Sequence, residues 1–211
     1  MNERELETWL CEHPYVLDEY LYITGRQVSL PHGRLDLMGL VQHGQWGQSI
    51  WVIELKAREL KQRDVGQLLR YIADVRFEMM RVRSTWSTRF ASEIEGHMGT
   101  VKPINVLTKS VRTMTRQIKG ILIGRSVDDR VLTPATGGDI EVATWKERDG
   151  AIQIDWANAW DTGGLYYDLY DAPHPHWAVF LFNECVAFCK QVINPRNRFM
   201  PKQPFVGKNW E

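Results

Sequence analysis

The sequence predicts an α/β fold, a mixed central sheet flanked by helices, with a C-terminal helical extension. Three patterns carry this reading. Residues 25–57 (GRQVSLPHGRLDLMGLVQHGQWGQSIWVIELKA) fall into apolar runs separated by Gly, Pro and polar turns, as consecutive strands do. Residues 62–83 place Val65, Leu68, Leu69, Ile72, Val75, Met79 and Val82 at the i, i+3, i+4, i+7 spacing of one helix face. Two more apolar runs follow, IKGILIGRS at 118–126 and DIEVATWKE at 139–147. Strands that alternate with crossover helices build a mixed sheet.

The elements follow in order. Residues 2–12 read as a helix with Leu6, Trp9, Leu10 and His13 on one side, and Pro14 ends the pattern. Three strands occupy 25–57. Gly33 opens one of them, and HGQWGQS supplies a hairpin connection between about 42 and 49. After the 62–83 helix, residues 84–117 read as a mixed polar elaboration. The strand at 118–126 leads through a short helix or loop with Pro134 and Gly137-Gly138 to the strand at 139–147. The core is thus expected at 1–150. Residues 151–211 are Trp- and Tyr-rich and helical, an extension packed on it, and 176–193 is a helix apolar nearly all round, suited to burial or an interface.

Composition sets bounds. The chain has 211 residues, 44% of them hydrophobic, enough for a sizeable core. Lys+Arg and Asp+Glu balance at 26 each, so no global basic charge announces nucleic acid. The basic excess gathers in the middle of the chain, with Arg81, Arg83, Arg89, Lys109, Arg112, Arg116 and Lys119. That is compatible with phosphate binding and equally with a solvated helix face. The three cysteines, Cys11, Cys185 and Cys189, form no disulfide framework. The polar, acidic start (MNERELETW) does not read as a signal peptide, and WAVFLFNECVAF is too short for a membrane span. These features lead us to expect a soluble protein of the reducing cytoplasm.

The segment SIWVIELKAR (49–58) raises the functional question. Side chains alternate along a strand, so Trp51, Ile53 and Leu55 share one face, and Ile50, Val52, Glu54 and Lys56 the other. Both faces begin apolar, as in a central strand. A carboxylate and an ammonium at its end must be paired, hydrated or bound to metal. Taken alone, Glu-x-Lys is a pair of surface charges where a strand runs into solvent. The preceding strand, HGRLDLMGL (32–40), carries Asp36, with Leu35 and Leu37 expected on its opposite face. Adjacent antiparallel strands would bring Asp36 beside Glu54. Two converging carboxylates make a hard-oxygen site for Mg²⁺ or Mn²⁺, and with a lysine beside them the set suits phosphodiester hydrolysis. Gln67 and Tyr71 lie at i and i+4 on the following helix. Glu3 is expected on the core-facing side of the first helix, within reach of the same place.

Gly33-Arg34-Leu35-Asp36, Ile53-Glu54-Leu55-Lys56 and Gln67-x-x-x-Tyr71 together resemble the PD-(D/E)xK nuclease superfamily, in a form similar to the nuclease domain of NucS-type endonucleases. The opening helix with Glu-x-x-Leu and the HPYVL that follows are similar too. The resemblance covers about residues 3–76 well and the later strands less specifically. It implies a restriction-endonuclease-like core and a divalent-metal-dependent deoxyribonuclease, of endonuclease type, acting on DNA, with RNA left open. Carried over residue by residue, Asp36, Glu54 and the backbone carbonyl of Leu55 bind metal. Lys56 is catalytic, Gln67 and Tyr71 line the site, and Glu3 is a further acidic residue. The family's Pro before the Asp is Leu35 here. Residues 84–117 and 151–211 have no counterpart, so the family's preferences of substrate structure do not transfer.

Other readings compete. The same fold could bind nucleic acid without chemistry, or act as a nuclease-like subunit of a larger assembly or homodimer docked through helix 176–193. His174, His176, Cys185 and Cys189 are zinc-type ligands, but buried core cysteines beside a helix start explain them better. Trp145, Trp156, Trp160 and Trp177 could stack bases, though such residues more often fill a core.

Overall fold

The computed structural model describes residues 1–43, 47–78, 118–137, 140–148 and 151–158. The first helix, α1 (Glu3–Glu12), starts with a reciprocal cap. The Asn2 side chain accepts from the Glu5 N–H at 3.0 Å, and the Glu5 carboxylate accepts from the Asn2 N–H at 2.9 Å. It ends at His13, and Pro14–Val16 form one 3₁₀ turn. Then come β1 (Leu21–Leu30), β2 (Gly33–His43), β3 (Gly47–Leu55) and the short β4 (Glu59–Leu60). Helix α2 runs over 62–78. It is followed by β5 (Ile118–Gly124), β6 (Ser126–Val127), α3 (Asp129–Gly137), β7 (Ile140–Arg148) and β8 (Ala151–Trp156).

Six strands form one mixed sheet in the order β1-β2-β3-β5-β7-β8. The β3–β5 and β5–β7 pairs are parallel and the rest antiparallel. A parallel neighbour demands a crossover; α2 belongs to the connection from β3 to β5, and α3 to that from β5 to β7. Strands β4 and β6 pair as a small parallel ribbon. The expected limit of the core at residue 150 falls inside the β7–β8 hairpin, and residues 151–156 supply the sixth strand.

Two apolar layers cover the sheet. On one face, Leu68, Ile72 and Val75 of α2 and Val131 and Ala135 of α3 pack on Ile50, Val52, Leu122 and Val142. On the other, Leu6 and Leu10 of α1 pack with Trp51, Ile53, Leu55, Ile121, Ile123 and Trp145. The alternation expected for β3 is therefore observed. Helix α2 sits close on β5, because a Cβ at Gly120 would lie 2.8 Å from Ile72 Cδ1 and 2.9 Å from Ile140 Cγ1. Trp145 and Trp156 are resolved toward the core reading. Trp145 is fully buried, and Trp156 meets Trp51 edge-on with centroids 6.5 Å apart.

Sequence and structure differ at some edges. Strand β1 begins at Leu21, before the expected 25. Leu35 and Leu37 do not share a face, as expected; Leu35 packs in the α2 layer and Leu37 in the α1 layer. The cause is local. The β1–β2 register shifts between Ile23 and Gly25, and Gln27, one step past the Arg26–Leu37 pair, has φ 50°, in the left-handed region. A strand that loses its pleat there can send neighbouring odd positions to opposite layers. The elaboration at 84–117, Arg81, Arg83 and Arg89, His174, His176, Cys185, Cys189, Trp160, Trp177 and helix 176–193 lie outside the described residues. Among the described residues no helix is long and apolar enough to cross a membrane.

Candidate active site

The end of β3 is where apolar burial and charge meet. Glu54 and Leu55 pair with Leu122 and Ile123 of β5, and the Lys56 N–H donates to the Ile123 carbonyl at 2.8 Å. The sheet ladder thus holds the backbone through Lys56. Glu54 is 2% exposed. Lys56 shares its face, as the two-residue period requires, and its Nζ donates to Glu54 Oε1 at 2.6 Å. The other oxygen, Oε2, is buried with no hydrogen-bond partner. The Trp145 indole N–H donates to the Lys56 carbonyl at 3.2 Å, so a buried ring braces this backbone from the α1 side.

Asp36 arrives from β2. The register pairs Leu37 with Ile53, so one step further sets Asp36 opposite Glu54. Asp36 Oδ2 accepts from the Leu55 N–H at 2.8 Å, and Oδ1 accepts from the Gln27 side-chain amide at 3.1 Å. Asp36 and Glu54 therefore meet at one sheet end, each within the electrostatic reach of Lys56.

Helix α1 brings two carboxylates. Glu3 is exposed, not core-facing as expected, yet it reaches the site: Oε1 accepts from the Ala57 N–H at 3.0 Å, just past Lys56. Its charge acts on both Glu54 and Lys56. The buried acid of α1 is Glu7, which sequence reasoning did not single out. Glu7 ion-pairs with Arg26 and accepts from the Gln27 amide at 2.6 Å. Gln27 thus bridges Glu7 and Asp36. The signal was available in the spacing, since Glu3, Leu6, Glu7 and Leu10 form an i, i+3, i+4, i+7 stripe.

These placements set the protonation of the group. Burial pushes the Glu54 carboxyl up to about 7; Asp36 and Glu3 add to this, and Lys56 opposes it. Burial also raises Asp36, against the Leu55 N–H and Lys56. For Lys56, burial favours the neutral amine, but the bond it donates to Glu54 and the charges of Glu54, Asp36 and Glu3 outweigh it and raise its pKa. The lysine is therefore held as an ammonium beside carboxyls that resist ionisation.

Gln67 and Tyr71 stand one turn apart on α2. The Gln67 amide donates to the Tyr71 hydroxyl at 2.8 Å, and that hydroxyl donates to the Arg34 carbonyl at 3.2 Å. A Cβ at Gly33 would lie 2.7 Å from the same hydroxyl. Their contacts fix the start of β2, two residues before Asp36, and do not reach the carboxylate pair.

Among the described residues no group of three or more His, Cys, Asp or Glu lies close enough together to hold a metal ion. A cation here would draw on the Asp36–Glu54 pair with backbone or water oxygens, a hard donor set that suits Mg²⁺ or Mn²⁺. The orphan Oε2 of Glu54 fits such a ligand: a buried carboxylate oxygen without a donor is costly until a cation or proton meets it.

Fold and site together define a mixed α/β protein with an acidic pair and a lysine at one sheet end. No protein-family model matches the chain. Endonuclease NucS of Pyrococcus horikoshii is 34% identical to it over 77 residues, which is 36% of this chain and 29% of that protein. The chain thus spans under a third of that relative's length. Two solved structures are similar. An EndoMS–dsDNA complex has a TM-score of 0.46 at 18% identity, covering 68% of this chain and 44% of the other. A repair endonuclease from Pyrococcus abyssi has a TM-score of 0.40 at 20% identity, covering 67% and 46%.

Proposed function

We propose that this chain is a Mg²⁺- or Mn²⁺-dependent deoxyribonuclease of the PD-(D/E)xK type, cutting internal phosphodiester bonds of DNA. The observation that carries the reading is the meeting of Asp36, Glu54 and Lys56 at one sheet end, with Glu54 buried and half-satisfied. The similarity to a curated endonuclease supports it. Asp36, Glu54 and the Leu55 carbonyl would hold the cation. When bound, that cation lowers the pKa of water and offsets charge on the phosphate. Lys56, kept as an ammonium, donates to water or to a phosphate oxygen and steadies the negative charge that develops. Gln27 and the Leu55 N–H orient Asp36. Gln67 and Tyr71 hold the β2 backbone that carries it.

The test is incubation of the chain with supercoiled, linear, single-stranded and branched DNA, and with RNA, in Mg²⁺, Mn²⁺ or EDTA. We expect DNA cleavage with either metal and none in EDTA. Robust cleavage in EDTA, or Lys56→Ala cleaving like wild type, would overturn the mechanism.

A further inference from the structure

The basic side chains nearest the candidate site are nearly all committed. Lys56 is bonded to Glu54 and Arg26 to Glu7. Arg58 grips Asp64 through two bonds, 2.8 and 2.7 Å. Lys61 pairs with Glu59 and Asp128. Arg125 is different. It is exposed, and among the described residues its guanidinium is held on an aromatic ring instead of by a carboxylate.

Its position is nevertheless fixed from three directions. The Arg125 N–H donates to the Arg58 carbonyl at 3.0 Å. The preceding Gly124 is packed so tightly that a Cβ there would lie 2.4 Å from Leu60 Cγ and 3.0 Å from the Arg58 carbonyl oxygen. The guanidinium lies 3.9 Å over the centre of the Trp145 ring. That ring is fully buried, and its N–H is bonded to the Lys56 carbonyl. One indole therefore braces the backbone of Lys56 and carries a guanidinium on its face.

A stacked guanidinium keeps its in-plane N–H donors free and has lost much of its rotamer freedom before any ligand arrives. Its natural ligand is a tetrahedral oxyanion taken by two parallel N–H bonds. We infer that Arg125, laid on Trp145, is a phosphate-binding arm that grips the nucleic-acid backbone beside the bond to be hydrolysed. This rests on the reading of the chain as a DNA nuclease and adds to it a contact that aligns the strand with Lys56.

The experiment measures binding of the full chain to a labelled DNA duplex in EDTA, where the proposed chemistry is off, over a salt series. Arg125→Ala should weaken binding several-fold and reduce the salt slope by about 0.9, the loss of one phosphate contact. Arg125→Lys should restore the slope and only part of the affinity, because the charge returns without the stacked fork. Arg70→Ala, which removes one charge from the exposed face of α2, should leave the slope unchanged. With metal, Arg125→Ala should raise KM and keep kcat within about twofold. Wild-type binding with an unchanged slope in Arg125→Ala, or an equal loss in Arg70→Ala, would overturn the arm and leave the nuclease reading standing. Absence of wild-type binding to any nucleic acid would overturn that reading and the arm with it.

Discussion

Glu54 at the end of β3 and Asp64 at the start of α2 are equally buried, each 2% exposed, and each faces a basic side chain. They are held in opposite ways. Asp64 accepts two bonds from the Arg58 guanidinium and one from the Lys61 N–H at 2.8 Å. Burial would raise its pKa, but these donors overcome it and hold the carboxyl below the usual range. Glu54 accepts one bond, from Lys56, keeps one oxygen without a partner, and sits beside Asp36; its pKa is pushed up to about 7. Exposure is the same, but Glu54 lies deeper among protein atoms and has fewer donors, and the two together decide the sign. Asp64 is a satisfied bracket that ties the segment after β3 to the first turn of α2. Glu54 is a buried carboxyl with one oxygen unmet, the oxygen that the proposed cation would meet.

The largest effect should separate the two carboxyls by function. Glu54→Gln or Asp36→Asn should cut DNA cleavage at least about a hundredfold while the fold persists, as loss of a charge-stabilising group does elsewhere. Single-turnover cleavage with circular dichroism checks both halves; near-normal cleavage by Glu54→Gln would make Glu54 a second bracket. The converse is Asp64→Ala, which should cost about 2 kcal/mol by stranding part of the Arg58 fork and the Lys61 N–H. Urea unfolding measures it. Arg58 is 40% exposed, which keeps the cost at the low end.

Acidity should sharpen the contrast. The folded pKa of Glu54 lies above its ordinary value of 4.5, so the folded state binds more protons than the unfolded one between there and about 7. Its contribution is fully present below pH about 4.5 and fades as pH rises through about 7. Metal-free wild type should therefore lose ground to Glu54→Gln over that window, by on the order of 1–2 kcal/mol. For Asp64, whose pKa is lowered, the contribution is present above the unfolded pKa and is lost as pH falls. Wild type should thus lose its margin over Asp64→Asn only in acid. Melting curves of the three proteins across pH test the opposite slopes; parallel slopes would remove the distinction.

The smallest effect concerns Gln27. Gln27→Gly should change stability by no more than about 1 kcal/mol, because glycine's ease at φ 50° offsets the side-chain bonds lost. It should lose cleavage about tenfold, since the amide that bridges Glu7 and Asp36 is gone. No loss of cleavage would make that bridge incidental.

Much of this was legible in the chain. The alternation of Ile50 to Leu55 placed the apolar side chains on their observed layers, and the spacing of Val65, Leu68, Ile72 and Val75 located the buried face of α2, although Leu69, assigned to that face as well, is exposed. Asp36 was anticipated beside the end of β3 from strand order, and its carboxylate accepts from the Leu55 N–H there. Less legible were the start of β1, the split of Leu35 from Leu37, and the burial of Glu7 in place of Glu3. The split of Leu35 from Leu37 lies beside Gln27, whose left-handed backbone no side-chain pattern announces.

By itself the sequence determined the main strands and helices up to β7 and the inward faces of β3 and most of α2, because those follow from periods of two and 3.6 residues that need only local bonding, whereas β8 was read as part of a helical extension. It also put Asp, Glu and Lys at strand positions where charge is expensive. Only the tertiary structure decided which acid would be left wanting. Glu54 and Asp64 both have a basic residue a few places away in the chain, and nothing local separates them. What separates them is long-range: Asp36 and Glu3 add negative charge around Glu54, whereas Asp64 receives donors from its own turn. The proton affinity of a buried carboxyl is set by the sum of donors and charges around it, and that sum exists only once distant strands and α1 have come together.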